Sequence, residues 1–123
     1  MLLAMFKDAL RDLVEGTEGG LAGLLMGFDG IAVESYTKTE TDTDITTLGM
    51  ELSVVLKDMR RSVESLQAGG AREIAIQAEK MTTLVRLLNG DYFIALTLAP
   101  EGNFGKGRFL LRIAAPKLLS ALE

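Results

Sequence analysis

The residues that first invite a chemical reading are Gly102-Asn103-Phe104-Gly105-Lys106-Gly107, which offer the glycines and lysine of a phosphate-binding loop. Such a loop needs a glycine at its head, so that backbone amides can cradle phosphate, and a Ser or Thr after the lysine to reach Mg²⁺. Pro100 and Gly107 stand in those places. The segment is therefore read as a flexible connection. A second candidate is the alternation of Glu40, Asp42 and Asp44, with Glu51 where a calcium loop places its last ligand. That loop also needs a glycine at its sharp turn, and Ile45 is there instead. These acids are read as a solvated loop that caps a helix.

Catalysis has little else to draw on. The chain has no cysteine and no histidine. Thiolate nucleophiles, disulfides, Cys/His zinc sites and a serine–histidine pair are excluded, although lysine bases remain possible in principle. No catalytic, cofactor-binding or metal-binding residue is expected.

Binding chemistry is better represented. Met50, Val54, Lys57 and Arg61 recur at helical spacing, opposite an apolar stripe, so one helix would present two apolar and two basic side chains outward. Ile74 and Ile76 alternate in a short segment that suits a sheet edge. Their side chains can face the core while the backbone edge stays open for pairing.

The elements that must position these groups follow from periodicity. Phe6, Leu10, Leu13 and Val14 mark a first helix, which Gly16 would end in the left-handed conformation. The apolar run 21–28 predicts a strand buried on both faces. Asp29-Gly30 predicts a hairpin to a second strand through Ile31, Ala32, Val33 and Tyr36. After the polar loop, Asp42, Thr43 or Asp44 would cap a long helix. Its stripe is Ile45, Leu48, Leu52, Val55, Leu56, Met59, Val63 and Leu66, and Gly69-Gly70 closes it. Strands are then predicted over 73–79, 81–88 and 92–98. Asn89-Gly90 makes the second hairpin, and the last, most apolar strand is central. A final helix over 108–122 contains Pro116, which predicts a kink, the alternative being a short strand before it and a helix that starts at it.

The 123 residues suit a single domain, 1–123. An apolar content of 48% excludes a disordered chain. The net charge of −4 argues against nucleic acid and anionic membranes as partners. No apolar run reaches the length of a membrane span, and the start lacks a signal-like stretch, so a cytoplasmic location is expected.

The order α-β-β-α-β-β-β-α is joined to particular markers. These are a buried strand ending at Phe28-Asp29-Gly30, a long second helix after an acidic Thr-rich loop, the Asn89-Gly90 hairpin, and the run from Gly105 to Ile113. With them the chain resembles the Roadblock/LC7 family, and within it the bacterial MglB type. The resemblance implies a five-stranded antiparallel sheet flanked by three helices. It implies a homodimer in which third strands join and second helices lie side by side. That makes Leu48, Leu52, Met59, Ile74 and Ile76 the candidate dimer residues. It also implies a small Ras-like GTPase as partner, seated on the second helix through Met50, Val54, Lys57 and Arg61. The MglB type stimulates GTP hydrolysis without an arginine finger. Two other functions fit the same pattern: an adaptor with no effect on hydrolysis, and a ligand sensor of the PAS or profilin-like kind.

Overall fold

The computed structural model describes residues 1–38 and 44–123. Glu40 and Asp42 of the acidic series lie outside them. The elements are α1 (Leu2–Glu15), β1 (Gly20–Gly27), β2 (Ala32–Thr37), α2 (Ile45–Ser65), β3 (Glu73–Gln77), β4 (Thr82–Leu87), β5 (Tyr92–Leu98) and α3 (Phe104–Leu122). The five strands form one antiparallel sheet in the order β2-β1-β5-β4-β3.

Side-chain alternation divides the core into two layers. Ala22, Leu24 and Met26 of β1 join Val85, Phe93 and Ala95 beneath α2. Leu25 joins Leu84, Ile94, Leu96 and Leu98 beneath α1 and α3. β1 and β5 are therefore apolar on both faces, and β5 occupies the centre as its apolar run predicts.

α1 buries Phe6, Leu10, Leu13 and Val14. Its end differs from expectation. Gly16 is right-handed, at φ −77°, and glycine is needed there for space: a Cβ would stand 2.7 Å from the Asp12 carbonyl oxygen and 3.1 Å from Leu110 Cδ1. The left-handed residue is Gly19, at φ 80°. At the β1–β2 turn Gly30 takes φ 85°, and the Asp29 carboxylate accepts the Ile31 amide at 3.0 Å. The Asn89-Gly90 turn forms by another route than the expected one. Neither residue takes a positive φ. The Asn89 side-chain oxygen accepts the Asp91 and Tyr92 amides at 2.7 and 2.9 Å and closes the turn itself.

Asp44 is the cap of α2. It accepts the Thr47 amide at 3.1 Å and the Thr47 hydroxyl at 2.7 Å. These bonds, the hydroxyl's first, hold its carboxyl below the usual carboxylate range. A depressed folded pKa means stabilisation that is present above the unfolded value and lost as pH falls through the folded one. Asp44→Ala should lower the thermal midpoint at neutral pH. Asp44→Asn should keep most of it and flatten its fall in acid, because an amide oxygen still caps but does not titrate. Melting curves followed from neutral to strongly acidic pH check both.

α2 buries Ile45, Gly49, Leu52, Ser53 and Leu56. Gly49 lies against Leu24 and Met26 so closely that a Cβ would overlap the Leu24 side chain. The expected stripe fails on one flank. Val55 and Met59 are 46% and 38% exposed, and Leu66, which caps the end of α2, is 77% exposed.

α3 begins earlier than predicted. Asn103 caps it by accepting the Lys106 amide at 3.0 Å, so Phe104–Gly107 form its first turn and are no flexible connection. Gly107 sits 3.1 Å, at its absent Cβ, from Leu96 and 3.3 Å from Thr17, which fixes that turn on the sheet. The helix runs on through Pro116 as one element.

Candidate functional site

The phosphate-loop reading ends with the cap. Gly105 and Lys106 are helical, and the Lys106 amide is bonded to Asn103. The calcium reading loses Asp44 to Thr47. Among the described residues, no group of three or more His, Cys, Asp or Glu side chains stands together as metal ligands. No described helix is long and apolar enough to cross a membrane.

Two surfaces remain. The first is the outer face of α2. The structure brings Met50, Val54, Lys57 and Arg61 into one exposed stripe, with Met50 53% and Val54 60% exposed. Arg61 pairs with Asp58 at 3.4 Å on the surface, a contact worth at most about 1 kcal/mol and free to exchange for a partner's carboxylate. What seats this stripe is Arg60, which sequence reasoning missed. Its guanidinium lies 3.9 Å from the centre of the Phe28 ring and donates to the Gly90 carbonyl at 3.0 Å. One side chain thus ties α2 to both turns at that end of the sheet. Its only signal in the sequence is an arginine close to the apolar stripe.

The second surface is β3, an edge strand bonded only to β4. The Ala78 amide donates to Met81 and the Leu87 amide to Arg72. Antiparallel bonding alternates, so within the register Ile74↔Val85 and Ile76↔Thr83 the backbone groups of Ile74 and Ile76 bond to β4. Those of Glu73, Ala75 and Gln77 point outward. Glu73 is steadied by Arg108 at 2.7 Å and Arg86 at 3.9 Å. The opposite edge, β2, is protected differently. It meets a bulge at Leu25/Met26, lies against α1 and carries Glu34 paired with Lys7. β3 shares only the ion-paired glutamate, and no bulge interrupts its register with β4.

Of the five dimer candidates, Leu48, Leu52 and Ile74 pack into the chain's own core, while Met59 and Ile76 stay exposed at 38% and 40%. The apolar flank beside Met59 is extended by Val55 and Leu66, which the sequence pattern had assigned to the interior.

No protein-family model matches the chain, and no curated protein does. Among solved structures, MglC from Myxococcus xanthus is 40% identical, over 94% of this chain and 97% of that one, with a TM-score of 0.68. The chain belongs to the Roadblock/LC7 family. The gliding protein MglB from Thermus thermophilus matches at TM-score 0.88 and 16% identity, covering 98% of this chain and 90% of that one. A Roadblock/LC7 domain from Streptomyces avermitilis matches at 0.83 and 13%, covering 94% and 96%. Sequence is thus more alike to MglC and backbone to MglB. The element order and sheet are those of these Roadblock/LC7 neighbours, and the chain is a Roadblock-type regulator or scaffold.

Proposed function

We propose that this chain acts in the cytoplasm as a homodimer that binds a small Ras-like GTPase and stimulates its GTP hydrolysis. The observation that carries the reading is the outward stripe of α2. Met50 and Val54 offer apolar contact, and Lys57 and Arg61 supply positive charge on a chain whose net charge is −4. Interfaces concentrate their energy in a few apolar and arginine side chains of this kind. The open edge of β3, with the Val55–Met59–Leu66 flank, supports self-association. Pairing two β3 strands would extend the sheet across both copies and bring the two α2 helices together. The GTPase would keep its own catalytic residues, and the dimer would act by arranging them.

Lys57→Glu combined with Arg61→Glu tests the contact. GTPase captured by the purified protein from GTP-loaded lysate should fall at least about tenfold, the size expected when close charge pairs are reversed. The sedimentation coefficient of the protein alone should not change. Undiminished capture would sink the assignment of this stripe. Turnover of the captured GTPase, with and without the protein, separates stimulation from scaffolding.

A further inference from the structure

We infer that the cleft between the end of α2 and the start of β3 is a binding site for a phosphate group. The cleft is open, about 940 Å³ in volume, and built from parts of the chain that are distant in sequence. α2 supplies Arg60 and Glu64, the connection after it supplies Arg72, and β3 supplies Glu73. The turn at 88–90 closes one side. Arg108 reaches the cleft from α3, on the other face of the sheet, and pairs with Glu73 at 2.7 Å. The arginines are held in place without being neutralised. Arg60 rests on the Phe28 ring and donates through Nη1 to the Gly90 carbonyl, and neither partner is charged. Arg72 is exposed, and neither it nor Arg60 makes an ion pair among the described residues. Glu73 is shared between Arg108 and Arg86, so one carboxylate faces two guanidinium groups.

Backbone donors stand beside these side chains. The amides of Gly69, Gly70, Ala71 and Arg72 bond to no group among the described residues. Nothing lies within 4 Å of where a Cβ on Gly69 or Gly70 would stand, so an incoming group can approach them. Guanidinium forks and successive backbone amides are the donors that recognise oxyanions. By count the lining side chains carry +1, and Arg86 raises this to +2, on a chain whose net charge is −4. The directions of approach select the ion. A carboxylate is satisfied by one fork in one plane, as Glu73 is by Arg108. Donors that arrive from α2, from the connection and from α3 suit a tetrahedral group, whose oxygens point several ways. Glu64, exposed on the α2 wall, opposes any anion there and limits the site to a single phosphate. That phosphate is either a small ion or monoester, or the modified side chain of a peptide.

The test is isothermal titration of the full chain at low ionic strength with three probes: inorganic phosphate, succinate, and a glycine–phosphoserine–glycine tripeptide. Phosphate should bind at least about tenfold more tightly than succinate, and added salt should weaken it. Arg72→Ala removes no bond within the chain, so its circular dichroism should match the parent while phosphate affinity falls at least about tenfold. Arg72→Lys should recover only part of that loss, because it restores the charge without the fork. Glu64→Gln should act in the opposite direction and tighten binding about threefold, since it removes a like charge. A tripeptide that binds at least about tenfold more tightly than the free ion assigns the site to phosphorylated chains, and one that does not assigns it to small phosphates. No phosphate binding up to about 10 mM, succinate binding as tightly as phosphate, or an affinity that neither Arg72→Ala nor Glu64→Gln changes would each overturn the inference.

Discussion

Ala75→Pro should leave the domain folded and weaken the proposed β3-mediated dimerisation by at least about 100-fold, or roughly 2.7 kcal/mol. The position follows from the bonding alternation in the β3–β4 ladder. Ile74 and Ile76 direct their backbone groups to β4, so Ala75 directs its amide away from the sheet. Proline there removes no bond within the chain, and proline is tolerated on an edge strand where the amide faces outward. It does remove the central donor of any β3–β3 pairing and places ring carbons in the path of the partner strand. A two-fold centred on Ala75 would set Glu73 opposite Gln77 of the partner subunit, so no like charges would meet across it. Ile76→Pro is the control. It breaks the bond to β4 itself and should destabilise the fold as well as the dimer. Analytical ultracentrifugation with circular dichroism checks the pair. Unchanged association of folded Ala75→Pro would remove β3 as the proposed dimer edge, leaving the proposed α2 contact with a GTPase to be judged by its own variants.

Much of the fold was legible because its elements follow local rules. The apolar run 92–98 has no two-sided alternation, which is why β5 reads as central; the spacing of Phe6, Leu10, Leu13 and Val14 places α1. What escaped depends on neighbours distant in sequence. Gly105 and Gly107 are poor helix formers, yet they are helical because the Asn103 amide bonds to Glu18 and Gly107 fits against Leu96. Val55, Met59 and Leu66 keep helical spacing with the core stripe. Whether they are covered depends on what the rest of the chain packs against that flank, which no local pattern encodes. That Met50, Val54, Lys57 and Arg61 point outward was readable, since all four lie opposite the core stripe and Met50 and Val54 interrupt an otherwise polar face. The anchorage of that stripe by Arg60 to Phe28 and Gly90 was not, because that contact joins α2 to two turns remote from it in the chain.

Phe93→Ala carries the largest expected loss of stability. Phe93 is fully buried in the central strand, opposite Met26 on β1 and Leu87 on β4. Its ring centre lies 5.3 Å from that of Phe28, tilted by 51°, and Phe28 in turn carries Arg60 on its face. Truncation empties the layer beneath α2, where strands on both sides prevent collapse into the space. The cost should be about 3–5 kcal/mol, a large part of the roughly 5–15 kcal/mol that holds a small domain folded. For a chain of this length that is a fall of roughly 10–20 °C in melting temperature. Met50→Ala, which removes an exposed side chain of α2, should change stability by no more than about 0.5 kcal/mol. The comparison separates two routes by which the proposed GTPase binding would be lost. Phe93→Ala should bind in proportion to its folded fraction and recover on cooling, because the outer stripe is intact and only its seat is loosened. Met50→Ala should stay folded and bind more weakly at every temperature. Both must be measured at one protein concentration, since the proposed dimerisation would stabilise the folded chain by mass action and hide part of the core defect. A Phe93→Ala protein that melts within a few degrees of the parent would mean that α2 is held by its other core contacts, Leu52 and Leu56 above all, and not by the aromatic pair beneath it.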